Sequence, residues 1–253
     1  PAWHPRRGGR PIGLTLKPGR WYLAPRPQLS KQELRRYLDA RQMICCGGER
    51  DRGVLDWLSL AREWSAAGDH GRAVWLRWKA GRAFAGGGKL DEAVMVLDGA
   101  IREAGEAGMA TALKPLLLAK AAAYDLQDDH VRQEEVYGQL KALCEREPEE
   151  NLWLVRVLLD HGIVATVTVG DHARGEALFR RAVDIAGRIA PTGAFHAAAL
   201  GNLAIACLRQ GDLADAELFV RRSLAVWRQV DPTGDHDACP LLNLGVILEA
   251  RGD

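Results

Sequence analysis

The amino-acid sequence predicts an all-α fold: a right-handed solenoid of antiparallel helix pairs, about ten helices in all, preceded by a non-helical N-terminal arm. Two observations lead to this prediction. Between turns, apolar residues recur at helical spacings of three and four. The turns themselves recur at an interval of about 40–42 residues, at Gly88-Lys89, Asp128-Asp129, Gly170-Asp171, Gly211-Asp212 and Gly252-Asp253. A fixed period of this length is typical of repeat architectures, in which each unit buries its apolar face against its neighbours.

The composition is that of a globular chain and excludes disorder throughout. Of its 253 residues, 47% are hydrophobic and 26% are charged. The longest apolar run, at 162–170, is far shorter than the ~20 residues that cross a bilayer, so we expect no membrane segment. The five cysteines form no C-x-x-C motif. They predict reduced thiols and a cytoplasmic location, and the large excess of Arg over Lys hints at a bacterial source.

Residues 1–30 are predicted to form a basic, Pro-rich arm. They carry six Lys or Arg and no acid, whereas the remaining residues sum to −5 because the whole chain has a net charge of +1. Six prolines exclude a helix. A short hairpin around the Pro18-Gly19 turn and a linker from an upstream domain both fit this segment.

Residues 31–69 are predicted to form two helices, as a divergent first pair or as a cap on the solenoid. Ser30 and Glu33 have the spacing of a capping box at the start of the first helix. Gly68-Asp69 ends the second helix. Gly68 precedes Gly88 by only half of the repeat period, so one of these two turns must join successive pairs rather than divide one.

Residues 70–253 are predicted to form the solenoid, and the unit from Ala197 to Gln229 is the clearest. Its first helix has an apolar stripe and stops at Gly211, which suits the left-handed conformation after a helix. Asp212 can cap the second helix. Earlier units are more degenerate, and residues 163–169 (IVATVTV) even have strand propensity. The repeat register nevertheless places them inside a helix, because propensity is a weak guide.

This unit resembles the tetratricopeptide repeat family. The long repeat period and the Leu-Asn-Leu-Gly run at 242–245 resemble the kinesin-light-chain variety. The resemblance covers roughly residues 70–253 and is strongest from residue 170 on. It implies a scaffold that binds a protein or a peptide in a concave groove. The residues that carry it are Leu200, Leu203-Ala204, Cys207, Gly211-Asp212, Ala216, Val220 and Ser223.

Within the resemblance, Asn202 and Asn243 are the leading candidates for the groove. Both lie two residues before a small packing residue, where the family places an Asn on the concave face. A side-chain amide donates and accepts at once, so it can hold a peptide backbone at two points. His161 and Lys79 occupy the corresponding position in two earlier units. The alternative is that these amides only link neighbouring helices.

Trp75 and Trp78 are candidates for a partner surface. They belong to a run of four tryptophans, with Trp57 and Trp64, at a spacing that also fits a helical core. Tryptophans that are exposed rather than buried are frequent anchors in protein interfaces.

No motif of an enzyme is present, so we expect no catalytic residue, no metal and no cofactor. The run Gly86-Gly87-Gly88-Lys89 lacks the spacing of a phosphate-binding loop. A nucleophile elbow is absent, and the seven histidines have no metal-ligand spacing.

Three functions follow, in order of preference. The first is a cytoplasmic scaffold or adaptor that binds a protein or peptide partner, with self-association into a homo-oligomer left open. The second is the peptide-sensing regulatory portion of a larger bacterial signalling or transcription regulator. The absent start Met and the ending in mid-pair motivate it. The third, which the charge balance disfavours, is nucleic-acid binding through the arm at 1–30.

Overall fold

A computed structural model describes residues 6–7, 10–11, 29–46, 48–147, 149–231, 233–234 and 236–252. Within them eleven α-helices follow one another, against about ten predicted. They are α1 (Lys31–Cys45), α2 (Arg50–Ala66), α3 (His70–Ala85), α4 (Leu90–Glu106), α5 (Ala110–Leu126), α6 (His130–Glu145), α7 (Leu152–Ile163), α8 (His172–Ile189), α9 (Ala194–Gln210), α10 (Leu213–Val230) and α11 (Ala238–Arg251). A π-helical segment, Val164–Val169, continues α7.

The helices form two layers. Each helix packs against the next one along the chain, which gives the antiparallel pairs expected from short turns. In addition, α3 contacts α5, α7 contacts α9 and α9 contacts α11. These contacts link α3 with α5, and α7 with α9 and α11, within one layer. Since the helices alternate along the chain, we call the odd-numbered helices the inner helices and the even-numbered helices the outer helices. The predicted all-α solenoid of helix pairs is confirmed.

The spacing of the turns shows which of Gly68 and Gly88 lies between the two helices of one pair. Gly68, Gly88 and Gly108 follow one another at equal intervals of half the repeat period, and all have a positive φ, which glycine adopts without strain. Gly88 lies between α3 and α4, as Gly211 lies between α9 and α10. Gly68 therefore joins the first pair to the second, and Gly88 divides the second pair. The boundary at residue 69 between a cap and the solenoid remains a prediction.

Helix starts follow the predicted capping chemistry. Ser30 and Glu33 form the capping box of α1, each side chain bonding to the backbone of the other residue. The Asp212 side chain accepts a hydrogen bond from the backbone N–H of Asp215 at 3.2 Å. Asp69, Asp129 and Asp171 cap α3, α6 and α8 in the same way.

One described helix, Leu152–Val169, is long and apolar enough to cross a membrane, judged by its length and composition alone. Its mean hydropathy is 1.6, and 56% of it is buried inside the structure. The sequence-based expectation rested only on the uninterrupted run at 162–170, whereas this longer window includes Arg156 and Asp160 and is apolar on average. The helix packs against α6, α8 and α9, as a central helix of the solenoid does.

The N-terminal arm contributes two short strands. β1 (Arg6–Arg7) pairs antiparallel with β2 (Arg10–Pro11). The hairpin predicted around Pro18-Gly19 lies outside the described residues. The five cysteines, all of them described, are free thiols.

Candidate functional site

Contacts of two glycines fix how each inner helix faces its outer partner. A Cβ on Gly81 would lie 2.7 Å from Cγ of Leu97, and a Cβ on Gly162 would lie 2.5 Å from Cε1 of Phe179. Leu97 and Phe179 each lie nine residues after the glycine of their turn, so they occupy the same repeat position. Gly81 and Gly162 are therefore equivalent, and both face the outer helix.

The π-helical segment changes the register of α7 by one residue. Gly81 lies seven residues before the turn at Gly88, as Ala204 does before Gly211, but Gly162 lies eight residues before Gly170. A π-helical turn accommodates one extra residue in an otherwise α-helical stretch. The extra residue of this unit is therefore absorbed at 164–169, after Gly162.

This register defines a row of side chains on the inner helices. A residue two positions before the small packing residue is rotated by about 200° around the helix, away from the outer layer. We call these positions the inner row. Over the five inner helices from α3 to α11, it consists of Lys79 on α3, Ala119 on α5, Asp160 on α7, Asn202 on α9 and Asn243 on α11.

Asp160 thus takes the place that the sequence pattern assigned to His161. His161 is only 3% exposed. Its Nε2 lies 3.2 Å from Oε2 of Glu134 on α6 and 3.0 Å from Nη2 of Arg174 on α8. Its ring stacks on Tyr137, with 5.7 Å between ring centroids. His161 therefore lies in the interface between helices, where it faces the outer layer instead of the row.

Burial also sets the protonation of His161. It lowers the pKa of the imidazole below its ordinary value, while the nearby Glu134 carboxylate opposes this shift and Arg174 adds to it. The Nδ1 atom is buried and has no hydrogen-bond partner among the described residues. A neutral imidazole fits this surrounding best.

Asn202 and Asn243 are partly exposed on the inner helices. Among the described residues neither amide has a hydrogen-bond partner, so neither links two helices there. By contrast, the nearby Ser223 hydroxyl donates to the carbonyl of Ala197 at 2.7 Å and does tie two helices together. The two amides are therefore open to a ligand.

At α3 the inner row lies beside aromatic and cationic side chains. Nζ of Lys79 lies 5.2 Å from the ring centroid of Trp75 and 6.0 Å from that of Trp78. The guanidinium of Arg82 lies 5.0 Å above Trp78. Trp75 and Trp78 are partly exposed and Tyr37 of α1 packs against Trp75. These contacts bring Lys79, Trp75 and Trp78 together on one surface.

The other two tryptophans of the run belong to the core. Trp57 and Trp64 are buried. The indole N–H of Trp57 donates to the carbonyl of Tyr37 at 3.1 Å, and that of Trp64 to Oε1 of Glu33 at 2.6 Å. Two of the four tryptophans therefore belong to the core, and the other two, Trp75 and Trp78, are partly exposed.

Sequence reasoning missed Asp160 and Arg82. A signal for Asp160 was present, since the interval from Asp128 to Gly170 is one residue longer than each of the two intervals after it. The interval alone does not show where the extra residue is accommodated.

A family model matches the C-terminal part of the chain. The model of the tetratricopeptide repeat matches residues 156–229 and 195–253. A comparison with curated proteins finds no match.

Solved structures share the fold at low sequence identity. BtubC (BKLC) from P. vanneervenii is 18% identical with a TM-score of 0.68, over 87% of this chain and 84% of that one. A putative kinesin light chain from Podosopora anserina is 14% identical with a TM-score of 0.61, over 79% and 97%. The apo form of the quorum sensor NprR from B. thuringiensis is 14% identical with a TM-score of 0.61, over 85% and 60%.

Proposed function

We propose that this chain, which carries tetratricopeptide repeats of the kinesin-light-chain-like variety, is a scaffold that binds an extended peptide segment along its inner row. The observation that carries the proposal is the pair of amides at Asn202 and Asn243. They occupy one repeat position on successive inner helices, they are partly exposed, and no described residue occupies their hydrogen-bonding groups.

An amide without a protein partner is suited to peptide capture. A peptide backbone offers an N–H and a C=O at each residue, and a side-chain amide matches both. The surroundings of the two amides are apolar: Ile205 beside Asn202, and Leu242 and Val246 beside Asn243. A peptide bound here would gain apolar contacts on both sides of the backbone hydrogen bonds, which is the usual composition of a binding groove.

A selection from a phage-displayed library of random peptides tests the proposal. We expect the intact chain to enrich peptides that bind it. The double variant Asn202→Ala/Asn243→Ala should lose at least about tenfold in affinity, since each hydrogen bond contributes about 0.5–1.5 kcal/mol.

The matched control removes two amides from the outer helices. Gln139 and Gln229 are exposed on α6 and α10. Gln139→Ala/Gln229→Ala should bind the selected peptides as the intact chain does. Equal loss in both double variants, or no enriched peptide at all, would remove the support for an inner-row site.

A second candidate is the sensor portion of a larger bacterial regulator. The likeness to the quorum sensor NprR favours it. The region of NprR that shares this fold covers 60% of the NprR chain. In both cases the peptide binds the same inner row, and only the consequence of binding differs. Limited proteolysis of the full-length gene product, with and without a selected peptide, separates the two. A peptide-dependent change outside these repeats supports the regulator.

A cytoplasmic location is part of the proposal. Its support is the set of five free cysteines, of which Cys45, Cys46 and Cys239 are exposed. Exposed unpaired thiols are typical of reducing compartments.

A further inference from the structure

Asp160 is the carboxylate of the inner row and lies at its centre. Lys79 and Ala119 precede it on α3 and α5, and the amides of Asn202 and Asn243 follow it on α9 and α11. The register that places it there depends on the contact between Gly162 and Phe179 and on the π-helical segment after it. Along the solenoid, the row therefore carries a cation on α3, a carboxylate on α7 and neutral amides on α9 and α11.

The surroundings of Asp160 limit its contact with water. Its side chain is 21% exposed. On the same helix Leu159 and Val157 are buried, whereas Ile163 is exposed. A carboxylate that is only partly exposed interacts with a cation more strongly than a fully solvated one, because less water screens the charge.

Within the described part of the chain, one oxygen of Asp160 has a partner and the other has none. Oδ2 accepts a hydrogen bond from Nε of Arg156 at 2.6 Å, one turn earlier on the same helix. Among the described residues, Oδ1 has no hydrogen-bond partner. The Arg156 side chain is 44% exposed, and ion pairs of this kind within one helix contribute little to stability. Arg156 can therefore hold Oδ2 while a second donor takes Oδ1.

We propose that the bound peptide presents a lysine or arginine side chain to Asp160, so that this residue determines the specificity of the inner row for basic peptides. This inference rests on the proposed function, since it names the class of peptide that the same surface takes. Charge complementarity carries it: the carboxylate is partly exposed, and its Oδ1 has no hydrogen-bond partner among the described residues. An acidic residue of a ligand at this point would be repelled by the same carboxylate.

A double-mutant cycle tests the contact. Peptides are selected from the random library on the intact chain, and the tightest is synthesised with an acetylated N-terminus, so that only a side chain supplies a cation. Affinity is then measured for the intact chain and for Asp160→Asn, each with the parent peptide and with a peptide in which the basic residue is replaced by Gln. We expect Asp160→Asn alone and the Gln peptide alone each to weaken binding about tenfold. The variant with the Gln peptide should bind little more weakly than either single change, because both remove the same contact.

Asp184→Asn is the matched control, because Asp184 is an exposed aspartate on the outer helix α8. It should leave the affinity unchanged, and a thermal melt should show that Asp160→Asn is folded.

Three results would overturn the inference. The selected peptides could lack an excess of Lys and Arg, the two changes could be additive, or Asp184→Asn could weaken binding as much as Asp160→Asn. Any of these leaves the proposed function intact, provided that peptides are enriched and depend on Asn202 and Asn243. If no peptide is enriched, both the function and the specificity fail.

Discussion

Gly162 shows how a single residue fixes the contact between an inner and an outer helix. The Phe179 ring occupies the space that a Cβ at this position would need, with 2.5 Å between the added carbon and Cε1. Real structures almost never hold two carbons so close, so the ring and its helix must move if a side chain is added. We therefore expect Gly162→Ala to lower the free energy of unfolding by about 1–3 kcal/mol, the usual cost of overpacking.

Gly138→Ala provides the control for this prediction. Gly138 lies inside α6, and a Cβ there would meet nothing within 4 Å. Alanine should raise the free energy of unfolding by about 0.4–1 kcal/mol, because it restricts the unfolded chain. Urea unfolding of both variants measures the two effects. Equal effects of the two substitutions would show that Gly162 does not face Phe179 in solution.

His161 gives the chain a stability that depends on pH. Burial lowers the pKa of the folded imidazole below its ordinary value of 6.5. The unfolded chain therefore binds a proton more readily than the folded chain. The contribution of His161 is fully present above pH 6.5 and is lost as the pH falls from there toward the lower pKa of the folded state.

Urea unfolding at pH 7.5 and pH 5.5 measures this dependence. We expect the intact chain to lose more stability between the two values than His161→Gln does, since Gln carries no titrating group. The neighbouring charges, Glu134, Arg174 and Lys141, are the same in both proteins. Identical losses in the two proteins would mean that protonation of His161 is not coupled to folding.

At the scale of elements, the π-helical segment is an insertion that the fold tolerates. The segment ends at the turn of Gly170, which lies eight residues after Gly162. The corresponding interval is seven residues from Gly81 to Gly88 and from Ala204 to Gly211. Removal of Val167, which is 63% exposed, should convert the segment to an α-helix and leave Gly162 against Phe179. We expect a loss of at most about 1–2 kcal/mol in stability, within the range of ordinary point substitutions.

Deletion of Leu208 is the corresponding change in α9, which has no extra residue. There the deletion rotates the preceding part of the helix by about 100° and moves Ala204 away from the outer helix. Circular dichroism during thermal unfolding should show a much lower midpoint for this variant than for the Val167 deletion. A Val167 deletion that is equally destabilised would contradict the assignment of the extra residue.

The same segment shows what the sequence could and could not predict. The turns predicted the helices and their pairing, because Gly and Asp carry local signals for helix ends and caps. The repeat position that Asn202 and Asn243 share followed from the same register. Asp160 did not, because an extra residue between two turns can be absorbed at any point of a helix. The packing of Gly162 on Phe179 shows where the extra residue is absorbed. This is a contact between two helices, which a local sequence pattern does not reveal.

At the scale of the whole molecule, each helix packs mainly on its sequence neighbours, so stability should vary along the solenoid. The largest cluster of buried apolar residues runs from Leu117 to Ile247, and two smaller clusters lie before it. We expect hydrogen exchange followed by mass spectrometry to find the strongest protection in α7 to α10 and weaker protection in α1 and α11. Uniform protection from α1 to α11 would show a single cooperative unit instead.

The central claim is that the inner row of this solenoid binds a peptide, and a crystal structure of the chain with a selected peptide tests it most directly. We predict that the peptide lies along α7, α9 and α11, with its backbone within hydrogen-bond distance of the amides of Asn202 and Asn243. A peptide that lies on the outer helices α8 and α10, with both amides facing solvent, would contradict the claim.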